Sequence, residues 1–312
     1  MELENKFYRL TQMNIQQTNF SSFRLFLLEH PSLNPYSFTT DRFIRNLTRN
    51  YRLLPDFLII GYHKCGTTSL YNYLIQHPNI AQAGRKEIQY FSMSYWRGIN
   101  WYKSYFPTIF TKKKVEKKTN IKFITGEASA QYIYHPYSLE RIKKTLPDVK
   151  LILLLRNPID RSFSHYRHQK DVDAEKIETF EEVIELDSKR HEVMFDNFRK
   201  NEIKEYNHKF FMPPYISIGK YVIQIEKLFK IFPKENIIIL ESKELRDFPK
   251  KTTNRVFDFL NLPVMNNINF DEKNIGRYPP MNPDTRAKLV EYYKPYNKKL
   301  EKLLNRKFDW DV

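Results

Sequence analysis

A lysine lies in the middle of a glycine-flanked turn within residues 59–70, which read IIGYHKCGTTSL. The apolar run before the turn predicts a strand, and the apolar residues after it recur at helical spacing. Such a connection directs several backbone N–H groups and a helix N-terminus at one point, which suits an anion. Lys64 adds a full positive charge there. The segment therefore predicts an anion-binding loop.

The residues expected to contact the anion form one continuous run. They are His63, Lys64, Cys65, Gly66, Thr67, Thr68 and Ser69. In ATP-binding loops the lysine follows the second glycine and precedes a hydroxyl that holds Mg²⁺. Here Lys64 precedes Gly66, so the order does not match that of a metal-dependent nucleotidase. An ordinary turn in which Thr67 merely caps the helix is the simpler alternative.

A second candidate phosphate site follows the apolar segment 150–155, KLILLL. A nearly continuous apolar run is typical of a parallel strand buried on both faces. Asn157 and Pro158 suit the N-cap and the first position of a helix. Arg156 would then lie at the carboxyl end of a central strand, where open α/β sheets bind ligands. Its guanidinium and the hydroxyl of Ser164, in the second turn of that helix, could grip a second phosphate.

Predicted strands alternate with predicted helices along the chain. Strands are predicted at 57–60, 122–125, 150–155 and 236–240, and helices near 67–76, 139–146, 159–170 and 220–231. This alternation predicts an α/β fold, a P-loop-like parallel sheet with helices on both faces. The lysine-rich stretch 111–122 reads as a solvated loop, and 171–210 as a charged insertion over the sheet with a helical stripe. An amphipathic helix is predicted at 284–304, and residues 1–54 read as a polar and aromatic lead-in to a domain at 55–312.

Composition limits the class of protein. With 41% hydrophobic residues in 312, the chain can bury a sizeable core, which argues against wholesale disorder. The formal net charge of +16 favours anionic partners such as nucleotides, acidic glycans, nucleic acid or acidic membrane. Cys65 is the single cysteine, so no intramolecular disulfide can form. No apolar run of membrane-spanning length and no signal-peptide pattern is seen, so we expect a cytoplasmic protein without an integral membrane segment.

Two phosphate sites at adjacent strand ends suit a nucleotide phosphorylated at two positions. GYHKCGTTSL followed by LLLRNPIDRSFSHY resembles the paired signature of sulfotransferases that use 3′-phosphoadenosine 5′-phosphosulfate (PAPS). The resemblance implies the sulfotransferase fold, a first loop that holds the 5′-phosphosulfate, and an Arg156–Ser164 pair that holds the 3′-phosphate. It also implies PAPS as co-substrate and no metal.

The resemblance narrows toward the sulfotransferase domain of heparan sulfate N-deacetylase/N-sulfotransferases and toward the 3-O-sulfotransferases. KEIQYFSMSYWRGINWYKSYFP resembles the segment that carries the catalytic carboxylate of these enzymes, here Glu87. GRYPPMNPDTRAKLVEYYKPYN resembles their basic closing loop, which implies that Gly276, Arg277 and Tyr278 contact the nucleotide. Glu87 is then the base, and Lys64 stabilises the leaving phosphate. The implied acceptor is a hydroxyl or amino group on a glycan or glycoconjugate.

The chain departs from the family pattern in two places. Ala128 stands where these enzymes carry a lysine that helps at the sulfate, and Lys103, Arg85 or His135 are candidates to replace it. His135 is also the alternative base. The cysteine pair and aromatic platform of the animal enzymes are missing as well, so adenine must be held differently.

Simpler roles exist for several of these residues. Arg156 could form a structural ion pair with Asp160, and Glu87 a solvated pair with Lys86. His165 could flank the adenine or the acceptor, or ligate a metal with His168, although a polar helix face is the simpler reading of that pair.

Two other functions stay open at this point, a P-loop nucleotide kinase and a non-enzymatic polyanion-binding protein. The kinase is disfavoured by the position of the loop lysine, and simple polyanion binding does not explain two ordered phosphate motifs. We therefore expect a PAPS-dependent transfer to a glycan or other acceptor, with no nucleic acid as partner. The sequence does not indicate the acceptor or the oligomeric state.

Overall fold

A five-stranded parallel sheet forms the centre of the protein, whose computed structural model describes residues 45, 47–200, 214–270 and 279–310. The strands are β1 Phe57–Gly61, β2 Ile80–Gln82, β3 Ile124–Ala128, β4 Lys150–Leu155 and β5 Ile237–Glu241. The helices are α1 Thr67–Leu74, α2 Ile99–Lys103, α3 Ile109–Thr119, α4 Ser138–Thr145, α5 Pro158–Asp171, α6 Phe180–Arg199, α7 Tyr221–Ile231, α8 Ser242–Asp247, α9 Pro249–Phe259 and α10 Pro283–Leu304. The predicted α/β architecture is confirmed.

The strand order β2-β3-β1-β4-β5 makes β1 the central strand. Ile59 of β1 is in register with Ala128 on one side and with Ile152 on the other, and every pairing is parallel. Strands β1 and β3 are buried along their whole length, as is β4 after Lys150, so both faces of the sheet are covered. Because the chain passes from one side of β1 to the other after β3, a ligand crevice is expected at the carboxyl end of β1.

The predicted helices at 67–76, 139–146, 159–170, 220–231 and 284–304 all form, with ends displaced by one or two residues. The strand predicted at 122–125 is wrong at its end, because β3 continues through Gly126 and Glu127. The Glu127 carboxylate is fully buried and accepts hydrogen bonds from the hydroxyls of Tyr102, Ser129 and Tyr132 at 2.7–2.8 Å. Three hydroxyl donors allow the polar Glu127 side chain to occupy a core position. A sequence pattern based on hydrophobic residues does not extend the strand through such a position.

The prediction of a solvated loop at 111–122 is also wrong, since α3 covers most of that stretch. The hydroxyl oxygen of Thr108 accepts from the Thr111 N–H at 3.2 Å and caps the helix. Lys112 and Glu116 lie 3.9 Å apart as an i,i+4 pair, and no residue of the helix is buried. A helix held by caps and surface pairs lacks the apolar stripe on which the sequence prediction relied.

The insertion at 171–210 contains α6, as its helical stripe predicts. Thr179 and Glu182 form a capping box at the start of the helix. Phe180 and Val183 are buried in a second apolar cluster, together with Ile159 of α5 and Tyr293 of α10. Helix α6 therefore packs against the helix that follows Arg156. Residues 201–213 lie outside the described part of the chain.

The boundary predicted between residues 54 and 55 stays a prediction, and residues 1–44 are not among those described. The last residues of the predicted lead-in are tied to the domain. Arg52 donates from Nη1 to the carbonyl oxygen of Phe106 at 2.5 Å, and the Leu53 N–H donates to that of Pro107 at 2.9 Å.

Candidate active site

The loop between β1 and α1 is tightly coiled. Gly61 has a φ of 143°, and a Cβ there would lie 3.2 Å from the carbonyl oxygen of Leu154 on β4. Lys64 and Gly66 both have left-handed backbone, with φ of 68° and 87°. A non-glycine residue at positive φ is uncommon and persists where surrounding contacts hold it. Turns with such residues make successive backbone N–H groups converge on an anion.

Helix α1 begins without a side-chain cap. Its N-cap is Gly66, and Thr67 is the first helical residue, so the alternative in which Thr67 merely caps the helix is wrong. The first N–H groups of a helix have no intrahelical acceptor, and here no cap side chain supplies one. Thr68 and Ser69 are half-buried in the same turn. The helix start therefore presents N–H and hydroxyl donors to a ligand.

Two cations meet at this loop. Arg156 donates from Nη1 to the carbonyl oxygen of Lys64 at 3.1 Å, and its own carbonyl accepts from the Tyr221 hydroxyl at 2.9 Å. Burial, and then the charge of Arg156, lower the pKa of Lys64. Asp160 pairs instead with Arg286 at 2.8 Å, so the predicted alternative of an Arg156–Asp160 ion pair is wrong. Within the described residues neither Lys64 nor Arg156 has a carboxylate at ion-pair distance, which leaves a positive site open to an anion.

Helix α5 brings further predicted residues to the loop. The Asn157 side chain accepts from the Ile159 N–H at 2.9 Å, which confirms its predicted role as N-cap. Ser164 is 3% exposed one helical position before His165. The ring of His165 stacks on that of His63, with centroids 5.0 Å apart. The contact places α5 directly against the loop between β1 and α1.

Both stacked histidines are held neutral. Burial, followed by the charge of the buried Arg161, lowers the pKa of His63 to about 3. Burial and the neighbouring His63 ring lower the pKa of His165 as well. Nδ1 of His165 is buried and has no hydrogen-bond partner among the residues that the structure describes. The stack therefore offers polar ring atoms without adding charge.

Glu87 is anchored to the segment that follows β3. Its N–H donates to the carbonyl oxygen of Ala128 at 3.0 Å, and its carboxylate accepts from the Ala130 N–H at 3.2 Å. Its backbone is left-handed, with φ of 54°. Burial raises the pKa of the carboxyl group to about 7, against the opposing effect of Lys86. A carboxyl group with this pKa can take up a proton near neutral pH.

Lys86 is a candidate site residue that the sequence analysis did not identify. Its ammonium group donates to the hydroxyl oxygen of Thr68 in the first turn of α1. Burial lowers its pKa, whereas the Glu87 carboxylate raises it. The sequence suggested only a solvated pair with Glu87, and nothing in the local pattern indicates a contact with a residue eighteen positions away.

The other predicted candidates have different placements. Ala128, which stands in place of the family lysine, is fully buried. Three residues were candidates to replace that lysine. Of these, Arg85 is exposed, and Lys103 is half-buried in the last turn of α2. His135 accepts at Nδ1 from the Tyr137 N–H at 3.3 Å, and burial lowers its pKa to about 3. That makes it a weak base at neutral pH. The predicted nucleotide contacts Gly276, Arg277 and Tyr278 lie outside the described residues.

The geometry converges at the carboxyl ends of three neighbouring strands. The loop with Lys64 follows β1, Arg156 follows β4, and Glu87 is bonded to Ala128 and Ala130 at the end of β3. The arrangement combines three cations, a helix N-terminus and one carboxyl group with a near-neutral pKa. It is suited to bind an anionic ligand and to remove a proton beside it.

Neither a metal site nor a membrane-spanning helix is found among the described residues. They contain no group of three or more His, Cys, Asp or Glu side chains placed to hold a metal ion. None of their helices is both long enough and apolar enough to span a bilayer.

Comparisons with known proteins identify relatives. The sequence profile of a family described as the sulfotransferase domain matches residues 54–274. The chain is 30% identical over 320 residues to the membrane-associated sulfotransferase kil1 of Dictyostelium discoideum, covering 82% of this chain and 66% of that protein. It is 31% identical over 285 residues to the human bifunctional heparan sulfate N-deacetylase/N-sulfotransferase 3, covering 81% of this chain and 30% of that protein. The chain thus spans less than two thirds of the length of either relative.

A solved structure is also similar. A sulfotransferase from Alicyclobacillus acidocaldarius superposes with a TM-score of 0.61 at 25% identity, covering 83% of this chain and 100% of that one. The prediction of a cytoplasmic location is wrong, because the comparison with kil1 links the chain to a membrane-associated protein.

Proposed function

Since this chain belongs to the sulfotransferase family and has its α/β fold, we propose that it moves a sulfuryl group from PAPS to a hydroxyl or amino group of a glycan. One observation carries the proposal. At the carboxyl ends of β3, β1 and β4, an anion-binding loop with Lys64 lies beside Arg156 and near the anchor of a carboxyl group whose pKa is about 7. Those are the groups that a donor with two anionic ends and an acceptor with a removable proton require.

The donor is proposed to bind across the Lys64–Arg156 contact. The loop around Lys64 takes the 5′-phosphosulfate, while Arg156 and Ser164 take the 3′-phosphate. In support, the two cations are half-buried and have no carboxylate partner among the described residues, so a bound anion compensates their charge. Gly276, Arg277 and Tyr278 are proposed as further nucleotide contacts on the basis of resemblance alone.

The proposed reaction is a single in-line displacement. A lone pair of the acceptor oxygen or nitrogen forms a bond to sulfur, and the bond from sulfur to the 5′-phosphate oxygen breaks with its electron pair remaining on that oxygen. The acceptor proton passes to the Glu87 carboxylate. Lys64 stabilises the charge that develops on the departing phosphate, and one preorganised donor of this kind is worth about 3–4 kcal/mol. General-base assistance of the kind assigned to Glu87 contributes about 10²–10⁴-fold.

A glycan is proposed as acceptor because of the relatives. The human protein that matches 81% of this chain is named for N-sulfation of heparan sulfate. The net charge of +16 also favours an acidic polymer over a neutral small molecule.

The test is transfer of labelled sulfate from PAPS to a glycan array that includes chains with free amino groups and chains with only hydroxyl groups. We expect a labelled glycan together with one adenosine 3′,5′-bisphosphate per transferred sulfate, in the presence of EDTA. Lys64→Ala serves as the inactive control. Phosphorylation from ATP with Mg²⁺ would support the kinase instead, and glycan binding without transfer would support a polyanion binder with steep salt dependence.

A further inference from the structure

The ammonium group of Lys86 reaches the start of α1, although Lys86 belongs to a different segment of the chain. It donates to the hydroxyl of Thr68, the second residue of the helix. That hydroxyl lies in the turn where backbone N–H groups without intrahelical acceptors also lie. A third cation is therefore directed at the site that already holds Lys64 and Arg156.

The segment around Lys86 is held by its neighbour. The Glu87 N–H and carboxylate are both bonded to residues at the end of β3, and the Glu87 backbone is left-handed. This fixes two successive side chains in different directions, with Lys86 toward α1 and Glu87 toward Ala130. The base and the cation are thus positioned by one backbone turn.

The contacts of Lys86 leave most of its donor capacity unused. An ammonium group has three donors, and the hydroxyl of Thr68 is the acceptor found for one of them in the described part of the chain. No carboxylate of those residues lies at ion-pair distance from it. A half-buried ammonium group with a neutral acceptor gains from an anion that takes its remaining donors.

We propose that Lys86 is a further catalytic residue, whose ammonium group contacts the oxygens of the sulfuryl group while it passes from donor to acceptor. The proposal rests on the transfer reaction proposed above. Lys64 then acts on the departing phosphate oxygen, whereas Lys86 balances charge on the group in transit between that oxygen and the acceptor deprotonated by Glu87. Ala128 stands where the resembling enzymes carry a lysine that helps at the sulfate. It is fully buried at the end of β3, and its methyl side chain supplies no charge to the sulfuryl group.

A structural strut is the competing explanation, in which Lys86 only ties its segment to α1. The two differ in what they predict for adenosine 3′,5′-bisphosphate, which lacks the sulfuryl group. If Lys86 acts only on the sulfuryl group, its loss should leave bisphosphate binding unchanged. If Lys86 shapes the loop that binds the bisphosphate, its loss should weaken that binding.

The experiment compares Lys86→Met with a matched structural lysine. Lys150 is also half-buried and donates to neutral oxygens, Asn236 Oδ1 and the Glu235 carbonyl at 3.0 Å each, at the opposite end of the sheet. For both methionine variants we measure bisphosphate affinity by calorimetry, melting temperature, and release of labelled sulfate from PAPS with water as acceptor. The water reaction needs no knowledge of the glycan.

Lys86→Met is expected to release sulfate about 10²-fold more slowly and to bind the bisphosphate within about threefold of the wild type. Lys150→Met is expected to melt lower without a change in rate. Lys86→Arg should restore part of the rate, because the charge returns in a different shape.

The pH profile tests whether the Lys86 charge acts on Glu87, an effect that both roles of Lys86 predict. Lys86 and Arg85 favour the Glu87 carboxylate and Glu127 disfavours it, so removing the Lys86 charge should move the acid limb of the rate to higher pH.

Parallel losses of bisphosphate affinity and melting temperature in Lys86→Met, with the rate restored at saturating PAPS, would identify a strut and overturn the proposal. So would a rate within about twofold of the wild type. If the wild type itself releases no sulfate from PAPS and transfers none to the array, the proposed function fails and the role of Lys86 fails with it.

Discussion

The guanidinium of Arg156 and the carbonyl oxygen of Lys64 are joined by a hydrogen bond of 3.1 Å. The two residues lie at the ends of adjacent strands, and each was predicted to bind a different phosphate. The contact makes the two predicted anion sites neighbours, and the Arg156 charge helps to lower the pKa of Lys64. A ligand that neutralises both cations at once should therefore bind better than one that reaches a single site.

Adenosine 3′,5′-bisphosphate should stabilise the protein more than AMP or ATP does at equal concentration, with EDTA present. A ligand at about 100 times its Kd stabilises by about 2.7 kcal/mol. For a domain of this size that corresponds to a rise in Tm of about 4–5 °C. Arg156→Ala should remove most of the difference between the bisphosphate and AMP, measured by thermal unfolding. Equal shifts for all three nucleotides in the wild type would contradict a separate 3′-phosphate site.

Lys64→Ala should reduce sulfate transfer by at least about 10²-fold, because the departing phosphate loses the cation proposed to stabilise it. Lysine and alanine both carry a Cβ, so alanine at a φ of 68° adds no new backbone strain, and the Tm of the variant should stay close to that of the wild type. Lys64→Arg should rescue poorly, since the loop is shaped around a point charge. Transfer by the alanine variant at close to the wild-type rate would remove Lys64 from the mechanism.

Local patterns were sufficient to predict the parts of the site that lie within one strand–turn–helix unit. The β1–α1 loop and the N-cap at Asn157 are examples, because glycine, proline and capping residues act on their immediate neighbours. The meeting of these two units followed from the parallel sheet, which brings carboxyl ends together.

Contacts between distant segments could not be predicted in the same way. Lys86 reaches Thr68, and Asp160 pairs with Arg286 rather than with Arg156, through tertiary packing that no periodicity encodes. The burial of Glu127 was missed for the same reason, since its hydroxyl partners include Tyr102 from another element. Polar residues in a core are recognisable only when their partners are known.

Gly126→Ala should destabilise the fold. A Cβ at this position of β3 would lie 2.5 Å from Cζ of Phe57, whose ring is fully buried on the neighbouring strand. Overpacking of this kind costs about 1–3 kcal/mol, which urea unfolding would measure as a lower midpoint. Activity per folded molecule should be retained, because Gly126 contacts no proposed substrate group. An unchanged midpoint would mean that the Phe57 ring has room to move.

The rate of sulfate transfer should decrease at acidic pH as Glu87 becomes protonated. Because burial raises the pKa of Glu87 to about 7, the carboxylate that accepts the proton is lost as the pH falls below that value. Transfer should then fall about tenfold for each further pH unit. Glu87→Gln should lower the rate by about 10²-fold or more and abolish this decrease at acidic pH, while bisphosphate affinity hardly changes.

The free energy of unfolding should also depend on pH through the Glu87 carboxyl group, in a direction that its raised pKa determines. Its pKa in the folded protein lies above the usual 4.5, so the folded state holds the proton more tightly than the unfolded chain does. This stabilising contribution is complete below about pH 4.5 and is lost as the pH rises through about 7. Relative to the wild type, Glu87→Gln should therefore gain stability between pH 4.5 and pH 8 in urea unfolding. A glutamine variant that loses stability at pH 8 together with bisphosphate affinity would show that Glu87 supports the fold, and the base would have to be sought elsewhere.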